Sequence, residues 1–252
     1  MFRKSKIWLV AVTCLAVAPA YSAAPVIVEL FTSEGCSSCP PADAVLERLE
    51  NSGGAIVLGE HVTYWDHQGW KDRFSAETFT MRQEEYVRRF RIDSAYTPQM
   101  VVNGRAEFVG SGEGRARQEI AKAAREPQAK VELAPEDGQV SIRVSELPAA
   151  AKGADVILAV TETRLDTDVR GGENGGHKLR HTGVVRSIST VGRVDAKASN
   201  FAAQAHYGLE PSWKRENLKL VVFVQDRTSK KIWGAGATSP SGVARLSRSP
   251  GK

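Results

Sequence analysis

Val26-Ile27-Val28-Glu29-Leu30-Phe31-Thr32-Ser33-Glu34-Gly35-Cys36-Ser37-Ser38-Cys39-Pro40-Pro41 is the stretch on which the reading of this chain turns. Its first five residues, preceded by Pro25, form a β-branched run that predicts a short strand. Beyond it, Ala42, Val45, Leu46 and Leu49 recur at helical spacing, and Gly53-Gly54 ends them. Between strand and helix lies a turn carrying Cys-x-x-Cys, the context in which that motif reads as redox chemistry. Three uses compete for such a pair: a working dithiol, a structural staple and a metal clamp.

The N-terminus bounds the compartment. The chain has 252 residues and a formal charge of +5. Arg3, Lys4 and Lys6 precede an apolar run from Ile7 to Ala18, and small residues follow to Ala24. That order predicts a secretory signal peptide over residues 1–23 and a periplasmic or secreted protein. The run is short for a bilayer span, which takes about 20 apolar residues, so no membrane span is expected after cleavage. Residues 1–24 hold three basic and no acidic residues, which leaves +2 on the remainder. With no basic stripe interleaved with aromatics, nucleic acid is not an expected partner. Cys14 departs with the signal, so Cys36 and Cys39 have only each other to pair with inside the chain. Their ring is small and restricts the unfolded chain little, which makes the staple the weaker reading.

Alternating signals continue to about residue 125. Ala55 to Gly59 predicts a second strand reaching Val62, followed by an aromatic loop with Tyr64, Trp65, Asp66 and Trp70. Ser75 is placed to cap a helix that sets Phe79, Tyr86 and Phe90 on one face. Tyr96 to Val109 predicts two strands joined by Asn103-Gly104, a strong hairpin signal. A last helix is expected from Gly110 to Glu126. Strand, helix, strand, helix, strand, strand, helix is the order of a thioredoxin fold. After Pro127, strand-like segments dominate: 130–133, 140–144, 155–163, 183–191, 218–225 and 231–235, with a further alternating run at 201–209. Short strands at such spacing point to a β-sandwich. Residues 239–252, rich in Ser, Pro and Gly with Arg245, Arg248 and Lys252, predict a disordered tail.

Only a thiolate attacks a disulfide, and a cysteine at a helix N-terminus meets unpaired N–H groups and the positive end of the dipole. Cys36 is therefore expected as the exposed nucleophile and Cys39 as the buried resolving thiol. Glu34 opposes the thiolate; Lys71 or Arg73 would offset it if the aromatic loop folds back. Thr97 and Pro98 open the strand opposite the dithiol, where a cis bond would aim the Thr97 backbone at a bound peptide. Tyr64, Trp65 and Trp70 read either as a docking lip for a client chain or as packing. Asp66 reads as a proton-shuttling carboxylate beside Cys39 or as a turn cap. His61, His67, His177, His181 and His206 fit no zinc spacing, yet Cys₂ with His61 and His67 keeps a Cu(I) or Zn(II) alternative open. The Gly171–Gly176 run lacks the helix and Lys-Ser/Thr of a phosphate loop, and no nucleophile elbow surrounds Ser37 or Ser38. No cofactor is expected.

The string from Phe31 to Asp43, the Tyr64-Trp65-Asp66…Gly69-Trp70-Lys71-Asp72 loop and Tyr96–Gly104 resemble the secreted bacterial domain of unknown function 1223 family. The Gly172-Glu173-Asn174…Val184-Val185-Arg186 and Val221–Asp226 segments are similar to it as well. The resemblance implies a thioredoxin-like fold with a cis peptide at Thr97–Pro98. The string departs from ordinary thioredoxins: no Trp precedes the motif, Ser37-Ser38 replace Gly-Pro, and Pro40-Pro41 follow at once.

The sequence therefore predicts an α/β thioredoxin-like N-terminal domain over residues 24–126, followed by an all-β sandwich-like C-terminal domain over 127–238. The predicted function is thiol–disulfide oxidoreduction by Cys36 and Cys39, in either direction. Its partners would be a protein disulfide or dithiol client and a redox recycling partner in the membrane or periplasm. The alternatives are a Cu(I)/Zn(II)-binding module and a non-catalytic extracytoplasmic adaptor.

Overall fold

β1 (Val26–Thr32) is the axis of the fold and is buried along its whole length. A computed structural model describes residues 25–151, 153–195 and 197–240; the expected signal peptide and most of the expected tail lie outside the described residues. After β1 come α1 (Pro40–Ser52), β2 (Ala55–His61), α2 (Glu77–Phe90), β3 (Gln99–Val102), β4 (Ala106–Val109) and α3 (Glu113–Ala123). Then follow β5 (Lys130–Glu136), β6 (Gln139–Ser145), β7 (Ala154–Glu162), β8 (Leu165–Asp168), β9 (Lys178–His181), β10 (Val184–Val194), β11 (Phe201–His206), β12 (Leu218–Asp226) and β13 (Ile232–Thr238).

Side-chain alternation along the strands explains the layers. Val26, Val28 and Leu30 of β1 point to one face, where they pack with Val45, Leu46 and Leu49 of α1 and Ala116 of α3. Ile27 points to the other face and joins Phe79 of α2. β7 and β12 divide the same way. Val156, Leu158 and Val160 with Leu218, Leu220 and Val222 pack against Val140, Ile142 and Val144 of β6. Ile157 and Ala159 with Val221 and Phe223 share the Phe79 core. Strands buried on both faces read as continuous apolar runs, as these do.

The expected fold class does not hold. A single mixed eight-stranded sheet, in the order β13-β12-β7-β10-β2-β1-β3-β4, runs through both halves of the chain, with a three-stranded sheet β11-β6-β5 and the two-stranded β8-β9 beside it. The described residues hold about twice as much strand as helix, with only three α-helices, and they do not form a thioredoxin-like domain followed by a separate sandwich. The join explains the difference. β10 runs parallel to β2 with Val184 opposite Gly59, and the Gly59 amide donates to the Gly183 carbonyl at 2.7 Å. Gly183 sits at φ +58°, and a Cβ there would lie 2.6 Å from the Val57 carbonyl oxygen. α2 then covers strands from both halves, because its Phe79 packs on Leu58 of β2 and on Ile157 and Val221 beyond residue 127. Periodicity shows where strands are, but it carries no information on which distant strands pair.

The hairpin reading holds at its turn. Asn103 and Gly104 have φ +51° and +65°, the double positive φ of a type I′ turn, which the Arg105 amide closes on the Val102 carbonyl at 2.9 Å, and β3 and β4 pair antiparallel beyond it with Val102 opposite Ala106. Ser75 does not cap α2: the cap position is Ala76, and the Ser75 hydroxyl donates to Asp66 Oδ2 at 2.7 Å instead.

Candidate functional site

The dithiol turn sits between the C-terminal end of β1 and the first turn of α1. Cys39 occupies the N-cap of α1, and Pro40 and Pro41 begin the helix, where a missing N–H costs nothing. Cys36 and Cys39 are joined as a disulfide with Cα atoms 5.4 Å apart. The turn is held by Cys36 N to Ser33 O at 3.2 Å and Cys39 N to Cys36 O at 3.1 Å. The Ser33 hydroxyl accepts from the Gly35 amide.

Cys36 was expected to be exposed, and it is not. Its exposure is 1% and that of Cys39 is 0%, while Ser37 and Ser38 between them face solvent. The cover comes from the loop between β8 and β9. Asn174 Nδ2 donates to the Glu34 and Cys36 carbonyls, both at 2.9 Å, and Glu173 Oε2 accepts from the Ser37 amide at 2.9 Å. The Ser37 bonds hold the Glu173 carboxyl below its ordinary range. On the aromatic-loop side, a Cβ on Gly35 would lie 3.2 Å from Trp65 Cβ, so the turn is wrapped from both directions.

Linked to the turn is a buried set of two histidines and three carboxylates. His61, the last residue of β2, places Nδ1 2.6 Å from Asp72 Oδ2. The same Asp72 accepts from the Glu34 amide at 2.8 Å and from the Phe74 amide at 2.8 Å. Burial pushes the Asp72 carboxyl up, but the His61 charge and these hydrogen bonds outweigh it and hold the group at about 2. Burial pushes the His61 ring down, yet Asp72, Asp43 and Glu34 more than reverse it and raise it above its ordinary value. His181 of β9 lies edge-on to His61, with ring centres 4.9 Å apart. Its Nε2 is 3.3 Å from Glu34 Oε1 and its Nδ1 3.9 Å from Asp43 Oδ2. The Thr32 hydroxyl donates to Asp43 Oδ1 at 3.0 Å. Burial raises the Asp43 carboxyl against the pull of His181, His61 and Thr32.

The expected residues divide around this centre. Trp65 and Thr97 meet directly, since Trp65 Nε1 donates to the Thr97 hydroxyl at 2.8 Å. The Thr97–Pro98 bond is cis, and the Pro98 carbonyl accepts from the Gly110 amide. Trp70 donates its Nε1 to Glu34 Oε2 at 2.8 Å. Tyr64 is partly exposed. Asp66 spends both oxygens inside its own loop, on the Asp72 amide and the Ser75 hydroxyl. Arg73 does not reach Glu34; it donates to the Asp166 carbonyl and lies over the Phe74 ring. His181 takes the place beside Glu34 expected of Lys71 or Arg73. His67, His177 and His206 are exposed and apart from this set. Among the described residues, no group of three or more His, Cys, Asp or Glu is arranged to hold a metal ion, and no helix is long and apolar enough to cross a membrane.

Asp43, Asp72, Asn174 and His181 had no role assigned from the sequence. One signal was present: the Gly172-Glu173-Asn174 segment belongs to the stretches that carry the family resemblance, and it is the cover of Cys36.

The comparisons accord with this architecture. A crystal structure of the Agrobacterium tumefaciens protein AGR_C_4864 is similar with a TM-score of 0.70 and 27% identity, over 86% of this chain and 95% of that one. The structure of HBP35 of Porphyromonas gingivalis is similar in fold, with a TM-score of 0.64 and 14% identity over 90% of this chain and 80% of that one. Comparison with the curated proteins finds no match. Residues 27–225 match the family model described as protein of unknown function (DUF1223), and the chain belongs to that family.

Proposed function

We propose that the Cys36–Cys39 pair is a thiol–disulfide exchange centre that acts on a protein disulfide or dithiol client in the periplasm or outside the cell. One observation carries this reading: the dithiol turn is tied to a buried acid–base set, with Asp72 accepting from the Glu34 amide and pairing with His61, His181 beside Glu34, and the Asp43 amide bonded to the Cys39 carbonyl. A four-residue disulfide ring adds little to stability by restricting the unfolded chain, and burying five ionisable groups is costly. Such clusters concentrate where protons are handled. The N-terminus of α1 favours a thiolate at Cys36, one turn before the helix. Attack on a client disulfide by Cys36, with Cys39 resolving the mixed disulfide, would reduce the client; the reverse sequence would oxidise it. The Glu173–Asn174 cover must part for either, because Cys36 is closed to a client while those hydrogen bonds stand. Trp65 and Thr97, joined beside the turn, supply the neighbouring surface for the client chain. The extracytoplasmic location rests on the composition of residues 1–23, and a recycling partner in the membrane or periplasm would restore the starting redox state.

The test is exchange between purified protein, a disulfide-bonded protein substrate and a thiol donor. Cys36→Ser is expected to abolish the rate; an unchanged rate sinks the reading. A second reading, a permanent structural disulfide, is favoured by the near-complete burial of Cys36. A reduction potential below about −300 mV would support that second reading.

A further inference from the structure

The dithiol turn is closed above by Asn174 and Glu173, but the acid–base set below it reaches solvent by another route. Asp43 follows Cys39 by one helical turn, with the Asp43 amide bonded to the Cys39 carbonyl at 3.1 Å, so the two side chains share a face of α1. The Thr32 hydroxyl fixes Asp43 Oδ1, leaving Oδ2 as the oxygen nearest His181 Nδ1. Both ring nitrogens of His181 lack a hydrogen-bond partner among the described residues, as does Glu34 Oε1. Asp43 and His181 each also border a surface cleft flanking α1. One, of about 320 Å³, is lined by Asp43, Glu47, Lys178 and Arg180. The other, of about 450 Å³, is lined by His181, Thr182, Glu50 and Lys219.

We propose that Asp43 exchanges the proton that the Cys39 sulfur takes up or gives off when the disulfide opens or closes, and that His181 links Asp43 to the clefts beside α1. This rests on the exchange reading above. In the opening direction, a client thiolate attacks the Cys36 sulfur. The Cys36–Cys39 bond breaks, its electron pair leaves on the Cys39 sulfur, and that sulfur takes the Asp43 proton. The second client thiol, deprotonated to solvent, then attacks the client–Cys36 bond, and the Cys36 sulfur leaves with the pair. The client dithiol becomes a disulfide, the Cys36–Cys39 pair gains two electrons, and Asp43 regains its proton from the cleft through His181. A water-excluded sulfur has no solvent proton at hand, so a buried carboxylic acid one turn away meets the need. Asp43 suits the task because burial keeps its proton on at higher pH than on a surface aspartate. The charged groups that face Asp43 are His181 from β9, His61 from β2 and Asp72 from the aromatic loop, with Glu34 of the dithiol turn beyond His181. Arg73 and Arg186 stand one layer out, over the Phe74 ring that packs on both histidines.

The test is the rate at which dithiothreitol opens the disulfide in the native protein between pH 5 and 9, corrected for the reagent's thiolate fraction. The wild-type rate should fall as pH rises through the Asp43 ionisation. Asp43→Asn should be about ten-fold slower at the acid end, show no inflection, and converge with wild type at the alkaline end. Thr32→Val and His181→Gln each remove a group that lowers the Asp43 pKa, so each should move the inflection to higher pH; these two decide the matter if Asp43→Asn does not fold. If the variants change the rate by one factor at every pH, or not at all, the proton role is overturned and the exchange reading survives. If native wild-type protein does not open at any pH, the exchange reading falls and takes the proton role with it.

Discussion

Two buried polar clusters flank the β1–β2 pair, one on each face, and they are built on opposite principles. On the α2 face, Arg82 bonds Glu29 Oε1 at 2.6 Å and Gln225 Oε1 at 3.1 Å, and the Tyr86 hydroxyl bonds both Glu29 and Gln225. Glu60, whose carboxyl burial and the Glu29 charge push well up, lies 3.5 Å from Arg82. The cation there is a guanidinium, raised still further by its acidic neighbours and charged at every accessible pH. Below the dithiol, the partners of Glu34, Asp43 and Asp72 are the imidazoles of His61 and His181, side chains that carry a charge only when protonated. An arginine fixes a charge pattern; histidines let it change. The α2-face cluster therefore reads as a clamp that ties β1 and α2 to β12, and the dithiol-face cluster as a proton store.

The largest effect that would break this contrast is in the clamp. Arg82→Met leaves Glu29 and Glu60 buried together without their cation, and the loss of one partner from a buried charged group costs about 3–5 kcal/mol. Denaturant unfolding at pH 7 should show this loss, and lowering the pH should restore part of it, because protonation removes the uncompensated charge. Disulfide opening in the folded variant should keep the wild-type pH profile. A changed profile would mean that the two clusters are not separate devices.

The next effect lies in the His61–Asp72 pair. Asp72 titrates at about 2 against an ordinary 3.8, a difference that amounts to about 2 kcal/mol. Its folded-state pKa is depressed, so that stability is present above the unfolded value near 4 and is lost as pH falls toward 2. His61 is raised, so its contribution is full below about 6.5 and fades as pH rises through the folded value. Acid unfolding of Asp72→Asn should lack the loss between pH 4 and 2 that wild type shows; an identical acid profile would contradict the assignment. The smallest effect belongs to the cover. Asn174→Ala frees two buried carbonyls at a cost of about 1–2 kcal/mol and should speed opening of the disulfide by dithiothreitol several-fold at pH 8. An unchanged rate there would show that Asn174 does not limit access.

Much of this architecture is legible in the chain, and the gaps have a physical cause. Val26–Leu30, the Asn103-Gly104 turn and the apolar runs at 155–163 and 218–225 announce themselves, because period and turn chemistry are local. The pairing of β10 with β2 is not local: it rests on Gly59 and Gly183, two glycines among 22, whose close approach leaves no pattern. β8 and β9 are four-residue strands with charged residues at alternate positions, Leu-Asp-Thr-Asp and Lys-Leu-Arg-His, too short and polar to signal themselves. Their hairpin carries two of the site residues to which no role was assigned. Asn174 covers Cys36 from 138 residues away, and His181, one of five histidines without a metal spacing, sits beside Glu34. The identity of the dithiol was local; its burial and its acid–base neighbours were brought by the fold.

The central claim is that a buried disulfide at the head of α1 opens and closes in the folded protein. Its most direct test is equilibration of the native protein with mixtures of reduced and oxidised dithiothreitol, counting free thiols while circular dichroism follows the fold. The account predicts that Cys36 and Cys39 are reduced together with the fold intact, at a potential above about −300 mV. A lower potential, or thiols that appear only as the protein unfolds, would contradict it.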